Sequence, residues 1–248
     1  MRARSVAILL ALAVTASAQP RPEPKRLLVV TVTKGFRHAS IPVAERMLEE
    51  LAKQSSTFTL DFARTDEDLA EKMSPKALEA YDGLVFASTT GELPLPDRDG
   101  FLEWLGRGRA FVGLHAATDT YHGWPPYVEM VGGEFKTHGP QTSVSLLVGE
   151  KDHPATRGLS GPTEVFDEIY EFTSFERSRV QVLLYLDRHP QDQTPGFYPM
   201  AWTRLHGAGR VFYTALGHRE DVLQAPWFRD HLLGGIVWAL GVAGDTAR

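Results

Sequence analysis

Hydrophobic positions along the chain fall into two regimes. From Leu27 to Val32 runs a β-branched apolar segment with the pattern of a strand buried on both faces. A polar loop, TKGFRHAS, follows it. Next comes a segment starting around Ser40 and Pro42, in which Val43, Met47, Leu48 and Leu51 recur at helical spacing while Glu45, Glu49 and Glu50 take the opposite face. Phe58, Leu60 and Phe62 alternate as a second strand, Leu78 and Tyr81 close a short helical stretch, and Gly83 to Ser88 reads as a third, buried strand. Phe101 to Leu105 predicts a helix stopped by Gly106, and Ala110, Phe111, Val112 and Leu114 a fourth strand. Strands alternating with helices predict an α/β domain whose parallel sheet has helices on both faces.

The second half is mostly strand-like. Thr142 to Val148, Val165 to Phe172, Gln181 to Leu186, Met200 to Arg204 and Arg210 to Ala215 are separated by turn signals at Gly158, Gly161 and His206-Gly207. The turn Leu205 to Gly209 predicts a hairpin. A closing helix from Trp227 to Val242 would lay Leu232, Leu233, Ile236 and Leu240 on the sheet. Residues 26–242 thus read as one domain, a parallel core extended by antiparallel strands, with a short tail at 243–248.

The N-terminus has a different character. Arg2 and Arg4 supply a basic start, Val6 to Val14 an apolar run, and Ala16-Ser17-Ala18 a small-x-small cleavage site, the pattern of a secretory signal peptide over residues 1–18. The run is too short to span a bilayer, so the expectation is a periplasmic or secreted protein with no membrane anchor after cleavage. An extended leader, 19–25, carries Pro20, Pro22 and Pro24.

Composition narrows the chemistry. The chain contains no cysteine, which excludes a disulfide framework, a thiolate nucleophile and a thiolate metal site. Net charge is −5, with Lys and Arg scattered rather than striped, so no nucleic-acid partner is expected. A small-molecule ligand fits better.

Candidate chemistry gathers where strands end. In an open parallel sheet the ligand crevice lies beyond the carboxyl ends of the strands, which is where His115 sits, after AFVGL. KGFRHAS, EFKTHGP and ALGHRED place His38, His138 and His218 similarly. Four histidines suit either a metal site or an acid/base set, since neutral imidazole is a common ligand and its pKa of about 6.5 suits proton transfer. No spacing matches a metal signature such as H-x-x-x-H. His122, His153, His189, His206 and His231 fall in turns or on the last helix, where solvent exposure is expected.

Carboxylates add two candidates. If Val165 to Phe172 is one strand, Glu168 shares a face with Phe166, Tyr170 and Phe172, either as a functional carboxylate among aromatic rings or as an exposed edge residue. Asp119 could orient the His115 ring or cap the following helix. Tyr121, Trp124 and Tyr127 offer flat faces that suit sugar rings and ordinary packing equally well.

Taken in order, KGFRHASI, VFASTTGE, GRAFVGLHAATDT, the run Gly133 to His138, HPATRGL, DEIYEF, MAWTRLHGAGRVFYTALGH and HLLGGIVWAL resemble the ThuA-like, trehalose-utilisation family over about Lys25 to Gly241. The resemblance implies a flavodoxin-like, class I glutamine amidotransferase-like fold, with His38, His115, Asp119, His138, Glu168 and His218 as site residues. Arg37, Trp124, Tyr127 and Tyr170 are the expected substrate contacts, and His115 with His138 the expected pair should a divalent metal (zinc or manganese) be bound. No nucleotide cofactor is implied.

Amidotransferases of this fold carry a cysteine where His115 stands. Without one, and with no G-x-S-x-G elbow, acyl transfer gives way to proton transfer or metal binding. The resemblance implies sugar catabolism, in which a disaccharide is oxidised to a 3-keto form and then cleaved by a hydrolase or lyase. A non-catalytic sugar-binding or oligomerisation module is the rival reading, because the family is related to the trimerisation domain of some β-galactosidases; that kinship also leaves a homo-oligomer open.

Overall fold

The computed structural model describes residues 23–242, so the expected signal peptide at 1–18 and the tail at 243–248 lie outside the described residues. Nine strands form one sheet, with a five-stranded parallel half and a four-stranded antiparallel half. The parallel half runs β2 (Phe58–Ala63), β1 (Lys25–Val30), β3 (Gly83–Ala87), β4 (Ala110–Leu114) and β11 (Gly209–Thr214). Beyond β11 lie β10 (Pro195–His206), β9 (Gln181–Arg188), β6 (Thr142–Val148) and β7 (Thr163–Asp167), all antiparallel to their neighbours. A separate ribbon pairs β5 (Glu134–His138) with β8 (Tyr170–Thr173).

Apolar runs in the parallel strands are read out on two faces. Leu27, Val29, Val85, Val112 and Phe212 belong to one core layer, and Leu28, Val30, Leu84, Phe86, Phe111 and Tyr213 to the other. Burial on both sides explains why these strands show no polar alternation. Helix α1 (Ile41–Ser55) covers the first layer with Val43, Met47, Leu48 and Leu51. It is joined there by α6 (Glu220–Gln224) and α7 (Pro226–Ala239), which contributes Phe228, Leu232 and Ile236. The second layer is closed by α2 (Asp66–Lys72), α3 (Pro75–Leu78), α4 (Arg98–Gly106) and α5 (Pro125–Val131). At about 1.5–3 kcal/mol per fully buried large aliphatic or aromatic side chain, these layers dominate the stability of the domain.

The hairpin forms as expected, β10 and β11 meeting at the pair His206 and Gly209, with Gly207 in the left-handed region at φ 58°. The closing helix ends earlier than its apolar pattern suggested, at Ala239, ahead of Gly241 at φ 73°. The larger correction concerns Val165 to Phe172, which is two strands rather than one. Asp167 is fully buried, and its carboxylate accepts hydrogen bonds from the backbone N–H groups of Gly217 (2.7 Å) and Arg219 (3.1 Å). The chain therefore leaves its ladder with β6 at Asp167 and joins β5 at Tyr170, breaking the two-residue alternation at Glu168 and Ile169. Phe166 ends up 45% exposed while Glu168 and Tyr170 are buried. Among the described residues no helix is long and apolar enough to cross a membrane.

Candidate active site

Strand order changes direction between β1 and β3, and the loops beyond the carboxyl ends of the parallel strands share one rim. His38 comes from the loop after β1. Thr90, just past β3, pins that loop: its carbonyl accepts from Lys34 N–H at 2.7 Å, and its hydroxyl donates to the Phe36 carbonyl at 2.9 Å. His115 follows β4 directly at φ 49°, a left-handed conformation that costs a non-glycine residue about 1–2 kcal/mol. The Tyr213 hydroxyl, donating to the His115 carbonyl at 2.7 Å, braces this turn. His218 follows β11 after Gly217, whose φ of 103° disfavours a side chain. Glu168 occupies the break between β7 and β8.

Four of the expected site residues thus meet. His38, His115, Glu168 and His218 each offer a donor atom within 4.8 Å of the others, the group among the described residues that could hold a metal ion. Glu168 bridges the site. Its Oε2 lies 3.2 Å from His218 Nδ1 and 3.5 Å from His115 Nε2, while Oε1 lies 3.3 Å from His138 Nδ1. His115 Nε2 and His218 Nδ1 are 3.3 Å apart.

Tautomers follow from the carbonyls. His115 Nδ1 is 2.7 Å from the Ala215 carbonyl, which can only accept, so Nδ1 carries the proton and Nε2 points a lone pair at Glu168 and His218. His138 Nδ1 likewise donates to the Gly139 carbonyl at 2.9 Å, leaving Nε2 as its basic nitrogen.

Electrostatics divide the group. Burial, followed by the neighbouring imidazoles of His115 and His218, lowers the His38 pKa to about 3, so His38 is neutral near pH 7. Burial works against ionising Glu168, but its contacts with the His115 and His218 imidazoles overcome it and hold the carboxyl well below the usual range. The hydrogen bond to Glu168 raises the pKa of His218. Tyr170 forms the floor, its ring centroid 4.5 Å from that of His115.

His138 belongs to the rim. Its side chain is 42% exposed, and it is not among the four groups that converge, so the donors near His115 are His218, Glu168 and His38 rather than the expected His138. Asp119 does neither job foreseen for it. Its carboxylate accepts from His122 Nε2 at 2.7 Å, the His115 ring is held by a backbone carbonyl, and α5 has no side-chain cap. His122 also donates from Nδ1 to Glu134 at 2.9 Å; burial opposes its charge, but the two carboxylates raise its pKa.

Trp124 and Tyr127 are core residues rather than sugar platforms. Both are buried among Phe101, Phe86 and Phe111, and Tyr127 spends its hydroxyl on the Ala117 carbonyl at 2.8 Å. Arg37 is exposed and donates to the Thr31 carbonyl at 2.9 Å. His153 and His231 were expected in solvent but are 5% and 1% exposed: the His153 ring packs against Trp238, and the helical face carrying His231 packs on Phe212, with its Nδ1 donating to the Ala155 carbonyl.

Two residues escaped the sequence reading. Phe36 is 66% exposed, sets its ring edge-on to His38 at 4.9 Å and borders a cleft of about 520 Å³ together with Ser40, Gln141, His218, Arg219 and Asp221. Asp167, next to Glu168, fixes the turn that carries His218. Phe36 was legible as a large apolar residue inside a polar loop, whereas nothing local distinguishes Asp167.

Known proteins place this arrangement in context. The family model described as ThuA, trehalose utilisation, matches residues 26–239. A ThuA-like protein from Parabacteroides merdae superposes with a TM-score of 0.71 at 20% identity, covering 88% of this chain and 90% of that one. One from Bacteroides uniformis gives 0.70 at 22% identity, covering 90% and 94%. The β-galactosidase from Rahnella sp. R3 gives 0.55 at 15% identity, covering 90% of this chain but 32% of that one. No curated protein matches the chain.

Proposed function

The chain belongs to the ThuA, trehalose-utilisation family and has its flavodoxin-like, glutamine amidotransferase-like fold, and from that premise we propose that it is an exported carbohydrate-processing enzyme cleaving 3-keto-glycosides. One observation carries this reading: three histidines and a carboxylate converge beyond the ends of β1, β4 and β11, beside a cleft with an exposed aromatic ring. Neither a thiol nor an elbow serine occurs in the sequence, which removes covalent acyl transfer by those two nucleophiles. Histidine and carboxylate side chains suit proton transfer next to a carbonyl.

A ketone at C3 of the sugar acidifies the proton on C2. In the proposed reaction, His138 Nε2 takes that proton, and the C2–H electron pair moves to form an enolate with its charge on the C3 oxygen. The buried centre faces this charge with the His218 imidazole, whose protonated form the neighbouring Glu168 favours. When the enolate collapses, C1=C2 forms, the C1–O bond breaks, and the departing oxygen recovers a proton from the His138 imidazolium. Water adding across C1=C2 would complete a hydrolysis; release of the unsaturated ketone would make the enzyme a lyase. Phe36 would stack on one face of the sugar.

Matched chromogenic substrates test the proposal. The protein should release p-nitrophenol from p-nitrophenyl 3-keto-glucoside and leave the unoxidised glucoside intact, and His138→Ala should lower turnover by about 10²–10⁴-fold. Equal turnover of both substrates would contradict the proposal. Binding of the keto-glycoside without turnover would favour a sugar-binding module instead.

A further inference from the structure

We infer that this site binds one divalent transition-metal ion of the zinc class through His115 Nε2, His218 Nδ1 and Glu168 Oε2, with His38 as the fourth donor. The ion's role towards a keto oxygen rests on the function proposed above, whereas the binding site itself does not.

The three close donors form a nearly equilateral triangle with sides of 3.2, 3.3 and 3.5 Å. A tetrahedral ion with bonds of about 2.0–2.1 Å requires ligand atoms about 3.3 Å apart. The triangle is therefore one face of such a tetrahedron, formed without any movement of the side chains. The fourth donor is His38, which offers an atom within 4.8 Å of the other three and whose ring centroid is 4.7 Å from that of His115 and 5.3 Å from that of His218. His38 is 5% exposed and its Nδ1 has no hydrogen-bond partner, so the loop after β1 brings a buried, incompletely satisfied imidazole to the group.

Charge points the same way. With its Nδ1 proton committed to the Ala215 carbonyl, His115 presents a lone pair to the Glu168 carboxylate, and both side chains are nearly sealed from water, at 0% and 9% exposure. Two acceptors facing each other in a dry site repel unless something positive lies between them. A proton on His218 can bridge to one acceptor at a time, whereas a cation at the centre serves all three atoms. A backbone carbonyl fixing the outer nitrogen of an imidazole is also how metal-binding histidines are oriented. Three imidazoles and one carboxylate favour zinc over magnesium or calcium, which prefer an all-oxygen shell.

Mass-spectrometric metal analysis and a zinc titration of the chelator-treated full chain, read by calorimetry and by thermal unfolding, test the site. One equivalent of zinc should bind and raise the unfolding midpoint. His115→Ala and His218→Ala should weaken binding at least about 100-fold, while His138→Ala retains it. Glu168→Gln keeps the side-chain shape and should weaken binding too, and far-UV circular dichroism would establish that each variant is folded. Zinc binding that persists undiminished in His115→Ala and His218→Ala, or no binding by the folded wild type, would overturn the inference. Binding without keto-glycoside cleavage would uphold the site and defeat the function proposed above; cleavage by metal-free protein that binds no zinc would do the reverse.

Discussion

The carboxylate of Asp167 accepts a hydrogen bond from the backbone N–H of Gly217 at 2.7 Å, so the residue preceding Glu168 holds the residue preceding His218. Two members of the site, distant in sequence, are thereby fixed by one buried side chain. Asp167→Asn keeps the shape but turns one acceptor into an N–H donor, facing either Gly217 or Arg219. The expected cost is about 1–3 kcal/mol of stability, together with a loss of turnover. Denaturant unfolding beside steady-state kinetics checks this, and unchanged values in both would show that the contact positions nothing.

Phe36 gives a prediction of the opposite kind. A side chain that is 66% exposed contributes little to packing, so Phe36→Ala should leave stability within about 0.5 kcal/mol of wild type. Loss of a stacking surface should instead raise KM for a keto-glycoside by about 3- to 10-fold with little change in kcat. A normal KM would remove Phe36 from the substrate site.

Legibility followed the local physics. Buried-type runs at Leu27 to Val32, Gly83 to Ser88 and Ala110 to Leu114 announced the parallel strands, because a strand covered on both faces leaves a pattern no exposed segment shares. Position after a strand was enough to bring His38, His115 and His218 together. What failed was alternation across Val165 to Phe172, where a tertiary hydrogen bond accepted by Asp167 from Gly217, 50 residues away, bends the chain. Trp124 and Tyr127 misled for a related reason: aromatic residues look alike whether they meet a sugar or a core, and neighbours distant in sequence decide which.

Acid should destabilise the protein through its core histidines. Burial holds the pKa of His231 at about 4, below the ordinary value of about 6.5, so on acidification the unfolded chain takes up this proton first. Stability that is complete above about pH 6.5 is therefore lost as pH falls towards 4, and the loss levels off below that, at about 3 kcal/mol for this residue. His231→Phe should flatten the fall in stability across this window. An unchanged pH dependence would assign the effect elsewhere, with His153, whose pKa burial likewise lowers to about 4, the next candidate.

Export is tested in the native host. The Ala16-Ser17-Ala18 site predicts a mature N-terminus at Gln19 or a close neighbour, read by N-terminal sequencing of protein from the periplasm or medium. Intact Met1 on protein recovered from the cytoplasm would contradict it.

Proton removal from C2 of a keto sugar is the central claim, and its isotope signature is the most direct test. A 3-keto-glycoside carrying deuterium at C2 should react more slowly than its protiated form in single-turnover experiments, by a primary isotope effect that His138→Ala abolishes together with turnover. Cleavage at equal rates for the two isotopologues, with C2 deuterium retained in the product, would contradict elimination at this site.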